Sequence, residues 1–151
     1  MLDYLTRTDG SPLAYLAKAW GTVVAGTIVM ILAASLFLHD PPPSEDEAAD
    51  GAVTFILLVV WPIIATGLVF AAVSVARRFA PTYWHAAAGS ALVFALIFGM
   101  LGGPIVGVVY AWPFFVYCVT FLAWQLKSTL HAWVMTTALH AAVNLIPVLF
   151  L

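Results

Sequence analysis

Two side chains able to do chemistry stand one helical turn apart near the end of the chain, His140 and Asn144. The four-residue spacing puts both on one helix face, with Trp133, Thr136 and Thr137 on or beside it one or two turns earlier. An imidazole there can carry a proton, ligate a metal or bind axially to a haem or chlorophyll-type pigment, its ring oriented by polar neighbours. The same pair can instead form an interhelical hydrogen bond that fixes packing. Pro147 follows Asn144 by three residues. Its missing N–H leaves the Val143 carbonyl without a helical donor and predicts a kink that turns Asn144 or His140 toward a neighbouring helix.

The other candidates are fewer than chemistry usually needs. A metal site takes three or four converging ligands, and the four histidines, His39, His85, His131 and His140, do not converge on the expected topology; no metal is expected. Ser90, within Ala88-Gly89-Ser90-Ala91, could be read as a nucleophile with His140 as its base, but the two lie toward opposite ends of their helices. The single cysteine, Cys118, cannot form an internal disulfide.

These residues are carried by unusually apolar elements. The 151 residues are 64% hydrophobic and 8% charged, with a mean hydropathy of +1.07, against about 45–50% apolar and about 25% charged in an ordinary soluble domain. So little polar surface cannot cover a water-soluble core, which excludes a soluble enzyme; with net charge −2 and no basic cluster, nucleic acid is excluded as a partner. Uncharged runs long enough to cross a bilayer occupy 19–38, 51–76, 79–126 and 128–151. The third is more than twice the needed length, and Gly102-Gly103-Pro104 near its middle is the natural turn. The fold expected is therefore an all-α polytopic membrane protein forming a single membrane domain over 1–151. Its five spans are placed near 20–38, 52–76, 83–101, 105–126 and 130–151.

Charge sets the orientation. Arg7, Lys18, Arg77, Arg78 and Lys127 all fall on one side of this topology, which puts the N-terminus inside and the C-terminus outside. Five of the seven acids, Asp40, Glu45, Asp46, Glu47 and Asp50, crowd an outer Pro-rich loop at 39–51 that reads as solvated. Residues 1–18 read as a cytoplasmic or interfacial segment, with Ser11-Pro12 a helix start and Tyr4, Leu5, Leu13 and Tyr15 dipping into the headgroups. No Asp, Glu, Lys or Arg lies within any span, which disfavours a pump, a coupled transporter or a buried carboxylate base. Gly99, Gly103 and Gly107 repeat at four-residue spacing across the turn and are expected to let helices pack closely.

The last two spans carry a family resemblance. Lys127-Ser128-Thr129-Leu130-His131-Ala132-Trp133 followed by His140-Ala141-Ala142-Val143-Asn144 resembles the closing segment of the CPBP family, the CAAX-protease and bacteriocin-processing (Abi) intramembrane proteases. Ser90-Ala91-Leu92-Val93-Phe94-Ala95-Leu96 resembles the helix bearing that family's Phe-x-x-x-His motif, and Thr66-Gly67-Leu68-Val69-Phe70-Ala71 falls where its Glu-Glu-x-x-x-Arg motif would be. The similarity spans 61–151. It implies a degenerate member: Thr66 and Gly67 stand in the glutamate positions, Ala71 in the arginine position and Phe98 in a histidine position, while Phe70, Phe94, His140 and Asn144 are kept. Without those glutamates neither a general base nor a metal ligand set remains.

The expected function is thus that of a non-catalytic accessory or scaffolding subunit of a membrane-protein complex in the bacterial inner membrane. Its expected partners are the lipid bilayer and other membrane proteins, and it needs no cofactor. The alternatives are an active intramembrane peptidase working through His140, and a pigment- or haem-binding subunit with His140 as the axial ligand.

Overall fold

The computed structural model describes residues 2–37 and 51–150. Among the described residues five helices are long and apolar enough to cross a membrane, and the chain is an integral membrane protein. They are α1 (Pro12–Phe37), α2 (residues 51–76), α3 (Tyr83–Gly102), α4 (Pro104–Gln125) and α5 (Thr129–Phe150). The acidic loop expected over 39–51 lies outside the described residues except for Gly51, the first residue of α2.

Several of the helix ends have a local cause. Thr82, in an extended conformation, caps α3 by accepting the His85 backbone N–H, and Ser128 accepts that of His131 at the start of α5. Gly103 closes α3 at φ 94°, a backbone angle that favours glycine, and its N–H returns to the Gly99 carbonyl. Pro104 then opens α4, where its fixed φ suits a first turn and its missing N–H is not needed. Within α2, residues Ile56–Val60 form a π-helical turn in which the Trp61 N–H reaches back to the Ile56 carbonyl.

The fourth helix is the hub. More than half of its span is buried within the protein, about twice the share of any other helix, and Phe114, Tyr117, Phe121 and Trp124 are its large fully enclosed side chains. Helices α1, α2, α3 and α5 all pack on it. Lipid tails are as apolar as leucine, so this arrangement depends on close packing and polar ties instead of a hydrophobic driving force. Several ties share one form, a side-chain donor using the second lone pair of a main-chain carbonyl. Trp112 Nε1 of α4 donates to the Thr22 carbonyl at 2.9 Å, Trp20 Nε1 of α1 to that of Ala142 at 3.0 Å and Tyr83 Oη of α3 to that of Val119 at 2.5 Å.

The N-terminal segment differs from the headgroup-dipping expectation. Helix α1 does begin at Pro12, and Leu13 is exposed, but Leu5 and Tyr15 are buried in protein. Tyr15 Oη donates to the Leu5 carbonyl at 2.8 Å and lies 3.3 Å from Thr120 Oγ1 of α4, with its ring edge-on to Trp124. Lys127 Nζ also donates to the Thr8 carbonyl. Satisfying main-chain groups against α4 outweighs exposing this segment to the interface.

Candidate functional site

The polar face of α5 meets α2 and α4 in the middle of the bundle. Thr137 Oγ1 donates to Thr66 Oγ1 of α2 at 3.0 Å, and one turn before it Trp133 packs on Phe70, also of α2, at 6.3 Å between ring centroids. Two turns after Thr137, Asn144 Nδ2 donates to the Leu57 carbonyl at 2.8 Å. That carbonyl is available for a stated reason. The π-helical turn gives the Trp61 N–H to Ile56, and the next residue in register, Pro62, has no N–H to offer Leu57. Asn144 supplies the missing donor from another helix.

His140 sits between these two ties and makes ring contacts. Its imidazole stacks on Tyr117 with centroids 4.6 Å apart and planes 21° from parallel, and meets Phe114 edge-on at 6.1 Å. It is buried, with no side-chain hydrogen bond among the described residues. Thr136 Oγ1, one turn earlier, is buried and unpartnered as well. A general base needs a proton donor in reach and usually a second group to orient it; the described residues place aromatic rings there instead.

The remaining candidates separate. Ser90 Oγ is buried on α3 with no partner, and no hydrogen bond joins it to His140. His85 Nδ1 lies 2.6 Å from Thr82 Oγ1 and His131 Nδ1 2.6 Å from Ser128 Oγ, so each imidazole serves its own helix start. His131 further stacks on Trp124. His39 lies outside the described residues. Cys118 is fully buried. Among the described residues no group of three His, Cys, Asp or Glu could hold a metal ion.

The glycines lie where α3 and α4 come closest. A Cβ at Gly107 would stand 2.6 Å from the Ala95 carbonyl oxygen and 2.8 Å from Gly99 Cα, contacts that real side chains do not make. Gly103 forms the turn between them.

The positions that carry the family resemblance are spread along the bundle, with Phe70 on Phe121 and Phe94 and Phe98 on Phe114 two turns away. Thr66 bonds Thr137, Gly67 faces Trp133, and Phe70 packs on Phe121 and Trp133. Phe94 stacks on Phe114 at 4.2 Å, and Phe98 packs on Phe114 and Tyr110. Phe114 in turn touches His140. Sequence reasoning missed two parts of this arrangement, the Leu57 carbonyl and the aromatic cradle of Phe114 and Tyr117. Pro62 was the available signal for the first, and nothing in the uncharged α4 marked the second. No protein-family model matches the chain, and neither a curated protein nor a solved structure is significantly similar to it.

Proposed function

We propose that this protein is a non-catalytic accessory subunit of a membrane-protein complex, built on a CPBP-like shell and seated in a bacterial inner membrane with its cation-bearing end in the cytoplasm. One observation carries the reading: the polar residues at the mid-bundle site hold helices together. Thr137 ties α5 to Thr66, Asn144 ties it to Leu57, and His140 is packed against the rings of Phe114 and Tyr117 with no side-chain hydrogen bond among the described residues. Wide apolar faces support the second half of the proposal. Helix α1 has less than a fifth of its span buried, and Ile28, Leu32 and Leu36 all lie exposed on it, which suits contact with other membrane-embedded chains.

The test has two arms. Gentle detergent extraction should recover the 16.2 kDa chain in a larger assembly of fixed stoichiometry on native gels, and recovery as a lone monomer would overturn the subunit reading. Membranes enriched in the protein should cleave prenylated-peptide and leader-peptide reporters no faster than control membranes. Cleavage that is lost in a folded His140→Ala variant would establish the peptidase instead.

A further inference from the structure

Helices α2 and α5 run antiparallel, with Phe70 beside Trp133, Thr66 bonded to Thr137 and the Leu57 carbonyl bonded to Asn144. The two ends of this pair are anchored unequally. Toward the cation-bearing end, Ala65, Val69 and Val73 of α2 and Ala132, Met135 and Leu139 of α5 are buried. Toward the other end no side chain of 53–60 or 141–149 is buried, and Val143 is the last described residue of α5 packed against the core. Among the described residues, α5 is the only other helix to pack substantially on 51–60.

Both helices pass from anchored to unanchored at a break in the backbone ladder. In α2 the π-helical turn Ile56–Val60 is followed closely by Pro62, so the Leu57 carbonyl receives no helical N–H. In α5 Pro147 lacks the N–H that would reach the Val143 carbonyl. Prolines and π-turns are the usual causes of sharp bends in helices. One such break bends one helix. Here two stand at the same level of adjacent helices, and the Asn144 side chain, 2.8 Å from the Leu57 carbonyl, joins one weak point to the other. On the anchored side, the Thr137–Thr66 bond and the Trp20 Nε1 bond to the Ala142 carbonyl hold the pair in the bundle.

We infer that the α2–α5 pair carries a coupled hinge: residues 51–60 and 144–150 pivot together against a fixed bundle, and the Asn144 bond to Leu57 keeps the two ends in step. Segments with few buried contacts open at lower free energy than the core they join, and a few element-terminal residues absorb the change. The prolines lower the cost of bending. Asn144 makes the bending joint, since neither end can swing alone while the bond is made. The inference does not depend on the accessory-subunit reading.

Distance distributions between pairs of spin labels, measured on the full chain in lipid nanodiscs with buried Cys118 left in place, test it. The labels sit on exposed residues: Val53→Cys on α2, Leu149→Cys on α5 and Val108→Cys on α4, with Val75→Cys and Leu130→Cys as a control pair at the anchored end. The distributions from Val53→Cys and from Leu149→Cys to Val108→Cys should each be about twice as broad as the control, as expected of ends that lack buried contacts. The Val53→Cys/Leu149→Cys distribution should stay as narrow as the control. Asn144→Leu should broaden it to match the other two, with helix content intact. The Pro62→Ala/Pro147→Ala double variant, which returns an N–H to each helix and cannot fail for want of a helix former, should narrow all three to the control width. Distributions to Val108→Cys that are already as narrow as the control overturn the inference. So does a Val53→Cys/Leu149→Cys distribution as broad as those two before any change at Asn144, because the ends would then move independently. Widths unchanged by the double proline replacement overturn it as well.

Discussion

The α3–α4 hairpin and the α2–α5 pair join helices of similar length by opposite means. In the hairpin the backbones themselves touch: Gly99 and Gly107 face each other, and Gly103 turns the chain between them. In the α2–α5 pair the backbones are bridged by side chains, Thr137 to Thr66 and Asn144 to the Leu57 carbonyl. The first kind of contact is a steric fit that a single carbon abolishes. Contacts of the second kind are separable bonds, each worth about 0.6 kcal/mol on average and at most about 1.7 in lipid, because a helix separated from its partner finds other hydrogen bonds. Two neighbouring joints of one bundle should therefore respond very differently to substitution.

Gly107→Ala strikes the steric joint and should have the largest effect. Its methyl group would overlap main-chain atoms of α3, with no flexible side chain to give way. A loss of about 3 kcal/mol, the upper end for overpacking, should appear as a lower midpoint in mixed-micelle unfolding followed by tryptophan fluorescence. A change below about 1 kcal/mol would erase the distinction between the joints.

Asn144→Leu comes next. It removes the side-chain donor that the described residues place on the Leu57 carbonyl, whose helical donor is already missing at Pro62, so a cost near the upper limit of about 1.7 kcal/mol is expected in the same assay. Thr66→Val should cost least, about 0.6 kcal/mol, since the Thr137 hydroxyl it strands can return to a carbonyl of its own preceding turn. A Thr66→Val/Thr137→Val double-mutant cycle sharpens the contrast: its coupling energy should be well under the cost of Gly107→Ala.

Much of this architecture is legible in the residue types alone. Uncharged length placed the five helices, and Gly102-Gly103-Pro104 placed the turn, because a positive φ followed by a fixed one can be read from residue types. The shared face of His140 and Asn144 followed from their spacing. What they touch did not. Asn144 bonds a carbonyl, a group every residue possesses, and its availability depends on a π-helical turn that hydrophobic periodicity does not reveal. The helix start at Ser11-Pro12 was legible, but its continuity with the first span was obscured by Lys18, which interrupts the apolar run although α1 continues through it. The burial of Leu5 and Tyr15 was hidden for a different reason: amphipathic residues look alike whether they face headgroups or protein.

The π-helical turn at Ile56–Val60 has a directional consequence. One surplus residue in a helix advances the angular phase by about 100°, since each residue of a regular helix turns through that angle. Trp61–Ala76 and the residues before the turn therefore address different azimuths around the same axis. The later segment aims Thr66 and Val69 at the bundle, while Val53, Phe55 and Ile56 in and before the turn lie exposed. Removing one residue between 55 and 61 would leave Trp61–Ala76 seated and swing the preceding part of α2 through more than a quarter of a circle, re-aiming that apolar surface without changing its composition.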